Sequence, residues 1–66
     1  MKLLRERYGL TQKQLGLMIH ANQSYISKIE NGHFEGLTIR KLRRLAKILK
    51  VKHWELLKIL EKNRAR

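Results

Sequence analysis

The fold is decided by residues 11–32, Thr11-Gln12-Lys13-Gln14-Leu15-Gly16-Leu17-Met18-Ile19-His20-Ala21-Asn22-Gln23-Ser24-Tyr25-Ile26-Ser27-Lys28-Ile29-Glu30-Asn31-Gly32. Thr11 stands three residues before Gln14, the spacing of a capping box. In that device the hydroxyl accepts from the third helical amide and the glutamine side chain reaches back to the cap. Leu10 and Leu15 bracket it as a hydrophobic staple. Asn22 repeats the device, with Ala21 and Ile26 in the staple positions. His20, Ala21 and Asn22 are then a three-residue turn between two short helices. Two such helices make a helix-turn-helix, crossing near a right angle. Gly16 would cost about 1 kcal/mol against alanine in a plain helix interior. Its presence predicts close backbone approach between the second and third helices; the plainer account is one tolerated helix glycine.

Outward from this unit the same signals recur. Thr38 caps a fourth helix, with Leu37 and Leu42 as its staple. Val51 and Leu56 flank Lys52 in the same way, although lysine is a poor cap. The pattern predicts an all-α fold of five helices, at about 1–8, 12–19, 23–30, 39–49 and 53–62. Leu15, Met18 and Ile19 share a face of helix 2, and Ile26 and Ile29 face inward from helix 3. Helix 4 carries an apolar stripe of Ile39, Leu42, Leu45, Ala46 and Leu49. Its other face is Arg40, Lys41, Arg43, Arg44, Lys47 and Lys50, with no acid among them. Helix 5 is apolar over more than one face, through Trp54, Leu56, Leu57, Ile59 and Leu60. One side can pack on the core, and a second copy of the chain is the simplest cover for the surplus. Residues 1–62 read as one domain and residues 63–66 as a basic, flexible tail.

Composition narrows the function. The 66 residues hold 16 Lys or Arg against 5 acids, a formal charge of +11, and no cysteine. There is no room for a second domain, no disulfide framework and no apolar run near the roughly 18 residues of a membrane span. A soluble cytoplasmic protein without a separate effector-binding domain is the expectation. A compact chain so charged repels itself, and polyanions offset that, nucleic acid before acidic lipid. The charge is uneven: residues 1–33 hold five cations and two acids, residues 34–66 eleven and three. A plain lysine-rich surface is the bland alternative.

Gln12-Lys13-Gln14-Leu15-Gly16 followed by Ser24-Tyr25-Ile26-Ser27-Lys28-Ile29-Glu30-Asn31-Gly32 resembles the phage-repressor helix-turn-helix family. That family includes the lambda repressor, Cro proteins and xenobiotic-response-element type regulators. Arg5, Gly9-Leu10-Thr11, Leu45-Ala46-Lys47-Ile48-Leu49 and Glu55-Leu56-Leu57 fit the same pattern, so the resemblance spans about residues 4–58. It implies a compact five-helix lambda-repressor-like domain that binds double-stranded DNA, with helix 3 in the major groove. Three positions depart from the family. Gly16 replaces the usual alanine, Leu37 a frequent proline, and His20 the usual turn glycine. The last tends to need positive φ, which histidine tolerates better than most.

If Asn22 caps helix 3, the outward strip is Gln23, Ser24, Ser27 and Lys28, and the resemblance places it against base edges. Glutamine can pair bidentately with adenine, and lysine can donate to guanine O6 and N7. Phosphate contacts are expected from Gln12, Asn22, Tyr25, Asn31, His33, Arg40 and Lys41, with Gln12 at a helix N-terminus. Tyr25 has the alternative of packing sideways against the fold. Lys47 and Lys50 read better as a solvated face. The resemblance implies a largely buried ion pair between Arg5 and Glu30. A homodimer interface is expected on Trp54, Leu57, Ile59 and Leu60.

Signals for chemistry are weak. His20, His33 and His53 are 13 and 20 residues apart, without the i, i+4 spacing of a helical metal site. Neither serine lies in a nucleophile-elbow context, and there is no phosphate-cradling glycine loop. No enzyme, metal or cofactor is expected. The leading reading is a sequence-specific regulator, repressor more than activator, on a two-fold operator. The alternative is an antitoxin-type protein that binds a partner toxin and its own promoter. A membrane-active cationic chain would fold only on lipid, whereas these caps specify folding in water.

Overall fold

The computed structural model describes residues 1–62, and the expected basic tail at residues 63–66 lies outside them. Five helices follow in order: α1 (Lys2–Arg7), α2 (Gln12–Met18), α3 (Gln23–Glu30), α4 (Ile39–Ile48) and α5 (His53–Lys62). Among the described residues there is no strand.

Each helix start has a chemical cause. The Gln14 amide donates to Thr11 Oγ1 at 3.0 Å while the Thr11 amide donates to Gln14 Oε1 at 2.8 Å, which closes the capping box. Asn22 Oδ1 accepts from the Tyr25 amide and Thr38 Oγ1 from the Lys41 amide. At α5 the poor cap Lys52 is compensated from the other side. Its own amide donates to Glu55 Oε1 at 3.0 Å, the second half of a capping box without the first.

Four helices stop by one device. The two residues after each C-cap turn back onto the last carbonyls in a Schellman motif, with a left-handed residue between. The pairs are Gly9 to Glu6 with Leu10 to Arg5, His20 to Leu17 with Ala21 to Gly16, Gly32 to Ile29 with His33 to Lys28, and Lys50 to Lys47 with Val51 to Ala46. The left-handed residues are Gly9, His20, Gly32 and Lys50, at φ 67°, 58°, 86° and 57°.

The core is Met1, Leu15, Ile19, Ile26, Ile29, Leu42, Leu45, Ala46, Leu49, Leu56 and Leu60. The staple residues Leu10, Ala21, Leu37 and Val51 pack against it half-buried. Two positions of the apolar faces expected on α2 and α4 stay out of it. Met18 is exposed because Leu15 and Ile19, one turn apart, take the inward line of α2. Ile39 opens α4 ahead of the buried stripe and is exposed among cationic side chains.

Gly16 is buried at the closest approach. A Cβ there would stand 2.8 Å from both the carbonyl carbon and the oxygen of Asn22. The neighbour is thus the cap residue of α3 rather than the body of the helix.

Candidate nucleic-acid interface

Helix α3 presents Gln23, Ser24 and Lys28 to solvent, while Ile26 and Ile29 anchor it in the core. Ser27 is half-buried. Its carbonyl accepts from Asn31 Nδ2 at 2.8 Å, so one of the two amide protons of Asn31 is turned back on the helix. Asn22 is exposed and uses its side-chain oxygen as the cap, a bond that does not engage its amide protons.

Beside this strip lies a concave surface of about 680 Å³, lined by Lys2, Gly9, Thr11, Gln12, Lys13 and Gln23 among others. Lys2 and Lys13 are cations there that the sequence reading did not single out. The signal for Lys13 was its place in the first turn of α2, directly after Gln12. Gln12 itself is turned inward. Its Nε2 donates to Glu30 Oε1 at 2.9 Å, which leaves one amide proton and the side-chain oxygen for a ligand.

That bond extends a buried network. Arg5 Nε donates to Glu30 Oε2 at 2.8 Å, with the two side chains 7% and 6% exposed. Arg5 Nη2 reaches Glu30 Oε1 at 3.3 Å and Nη1 donates to the Leu10 carbonyl at 2.7 Å. The Glu30 hydrogen bond holds the Arg5 guanidinium above its ordinary pKa against the opposing effect of burial. Helices α1, α2 and α3 are tied at this one carboxylate, which sets the angle at which α3 is presented.

The other flank is fixed by Tyr25. Its hydroxyl donates to the Gly36 carbonyl at 3.2 Å, and its ring carries Lys41 Nζ at 4.6 Å from the centroid. Burial pushes the phenol pKa up. Tyr25 thus takes the sideways packing against the fold that its position also allowed. Its hydroxyl proton is engaged with the loop carbonyl. The contact clamps α3, the loop and α4 together, holding Lys41 beside α3. His33 is exposed in the same loop.

On α5 the four expected interface residues do not share a face. Leu60 is 0% exposed and belongs to the protomer core with Leu56. Ile59 turns toward α1, where it lines a cavity of about 710 Å³ with Met1, Leu3, Leu4 and Val51. At 3.6 residues per turn it lies about 140° around the helix from Trp54. Trp54 and Leu57, about 60° apart, form the exposed side, at 50% and 40% exposure. The surplus that helix 5 displays is thus split between two flanks of one buried stripe.

The helix-turn-helix family model matches residues 1–57, from α1 into α5. This chain belongs to the helix-turn-helix family, of the Cro/C1 phage-repressor type. No curated protein and no solved structure gives a match. Membership makes this helix-turn-helix protein a DNA-binding transcriptional regulator. Among its described residues no helix is long and apolar enough to cross a membrane, and no three His, Asp or Glu side chains gather as metal ligands.

Proposed function

We propose that this helix-turn-helix protein represses transcription by occupying a two-fold operator as a homodimer. Each α3 enters the major groove of one half-site, with Gln23, Ser24, Ser27 and Lys28 against base edges. Asn22, His33, Arg40 and Lys41, with the remaining amide protons of Gln12 and Asn31, hold the phosphates. Such contacts position the domain, and only base contacts specify sequence. The single observation that carries the reading is the exposed polar strip of Gln23, Ser24 and Lys28 on α3, flanked by cations and anchored by Ile26 and Ile29. Trp54 and Leu57 would form the dimer contact. Repression follows from steric exclusion of polymerase.

The test is selection of bound duplexes from a random pool at about 150 mM salt, where nonspecific binding is weakened. An inverted repeat with half-site centres about 34 Å apart, near 10–10.5 base pairs, is the expected product. Binding without enrichment would overturn the reading.

One observation favours the antitoxin-type alternative. The cavity between α1 and α5 has an apolar wall in which Leu3 is 83% exposed, a surface that a partner toxin could cover. A stable stoichiometric complex with the product of a neighbouring gene, lost on Leu3→Glu while DNA binding persists, would establish it.

A further inference from the structure

The outer face of α4 holds a concentration of charge of which the proposed operator contacts use only Arg40 and Lys41. Arg40, Arg43, Arg44 and Lys47 recur at i, i+3, i+4 and i+7, which sets them on one ridge of the helix. They line two shallow depressions. One, of about 440 Å³, is formed by Ile39, Arg40, Arg43, Arg44 and Lys47. The other, of about 350 Å³, is formed by Ile19, His20, Arg40, Lys41 and Arg44. The two share Arg40 and Arg44, so the cationic surface runs continuously from the turn between α2 and α3 along α4. Residues 39–48 contain no acid, and among the described residues none of the four ridge cations is hydrogen-bonded or ion-paired.

On the surface, the first turn of α4 meets α3 where Lys41 lies over Tyr25. The far end of α4 is elsewhere: Lys50 Nζ sits 5.8 Å from the ring of Tyr8, the C-cap of α1. Lys47 is seven residues beyond Arg40, about 10 Å along the axis at about 1.5 Å per residue. A duplex seated on α3 would reach the first turn of α4, with Arg43, Arg44 and Lys47 progressively farther along the ridge.

We propose that Arg43, Arg44 and Lys47 form a second, sequence-independent site for duplex DNA, through which a protein bound at its operator captures another segment of duplex. The partner is fixed by charge complementarity. Guanidinium forks match phosphate oxygens bidentately. Cations one helical turn apart, about 5.4 Å, suit a run of backbone phosphates. Ile39 is the one exposed apolar side chain in the patch, too little for a protein-binding core. The inference rests on the DNA-binding reading for the first duplex only.

The experiment loads the full chain to saturation on an immobilised duplex carrying both selected half-sites and washes away free protein. A fluorescent 20-base-pair duplex of random sequence is then offered at about 150 mM salt. The expected result is capture by the unaltered protein, reduced at least tenfold in Arg43→Gln/Arg44→Gln/Lys47→Gln, with occupancy of the immobilised site changed less than twofold. Arg43→Lys/Arg44→Lys, which keeps the charge, should retain most of the capture. No capture by the unaltered protein, or equal capture by the triple glutamine variant, overturns the proposal. So does loss of the variant from the immobilised site with a salt slope shallower by about 0.9 for each cation removed, since the ridge would then lie on the first duplex. Binding of polyglutamate in place of the random duplex overturns it in favour of an acidic protein. Failure of the operator reading shows separately, as a selection that enriches no sequence.

Discussion

Gly16 decides how closely the two helices of the motif can meet. Adding a Cβ there presses on backbone atoms of Asn22 at 2.8 Å, and backbone cannot move aside cheaply. Alanine brings better helix propensity, worth about 1 kcal/mol, but must displace the cap of α3. Gly16→Ala should therefore lower stability, by about 1–3 kcal/mol in the range of overpacking, read as a fall in thermal midpoint. A rise would mean that the turn shifts freely. Glu30 carries a different kind of cost. Its removal leaves the Arg5 guanidinium in a buried site without its partner. Glu30→Ala should cost about 3–5 kcal/mol in urea denaturation. Arg5→Met combined with Glu30→Leu should recover much of that loss, because two apolar groups leave no charge stranded.

At the scale of elements, caps and terminators set the helices and two clamps set their arrangement. Lys50 ends α4 in the left-handed region at φ 57°. Residues other than glycine pay about 1–2 kcal/mol there, and glycine gives back part of that through the freedom it adds to the unfolded chain. Lys50→Gly should therefore stabilise the domain, by about 0.5–1 kcal/mol, measurable as a higher denaturation midpoint. Tyr25 clamps α3 to α4 through the Gly36 carbonyl. Its folded pKa is raised by burial, so the folded state holds the phenol proton more tightly than the unfolded chain. The contribution is complete below pH about 10, the unfolded phenol value, and is lost as pH rises through the higher folded value. Tyr25→Phe should cost about 0.5–1.5 kcal/mol at neutral pH. The gap to the unaltered protein should narrow in melts taken above pH about 10. A constant gap would place the Tyr25 proton outside the clamp.

For the whole molecule, the distribution of cations separates reading from holding. Lys28 lies in the exposed strip of α3, whereas Arg40 opens α4 beside it. Lys28→Ala should relax base preference at one position, by about 1–3 kcal/mol of discrimination. Arg40→Ala should weaken all sequences alike and make the plot of log affinity against log salt shallower by about 0.9. Repeating the duplex selection and the salt titration on both variants checks this, and indistinguishable behaviour would sink the division of roles.

The helices themselves were legible in the sequence. Thr11 with Gln14, Asn22 and Thr38 are caps whose partners lie three residues away, so the physics is local and the spacing suffices. Gly9, Gly32 and the His20 turn carry their conformational demand in the same local way. Lys50 gave no such signal, because its left-handed backbone is imposed by the return of Val51 to Ala46 and by the packing of α5 that follows. The exposure of Gln23, Ser24 and Lys28 was legible too, as the complement of Ile26 and Ile29 on one helix. What only the tertiary structure decided concerns groups distant in the chain. Gln12 turns inward because Glu30, 18 residues away, has an oxygen to share with it. Tyr25 packs sideways because the Gly36 carbonyl comes within reach of its hydroxyl. Leu60 joins the core and Ile59 the α1 side because a helix with apolar residues on several faces can be docked in more than one rotation. Local patterning specifies which segments are helices and which faces are candidates for burial. The choice among partners is made by long-range packing, in which each polar group takes the nearest complement and each apolar face the largest contact.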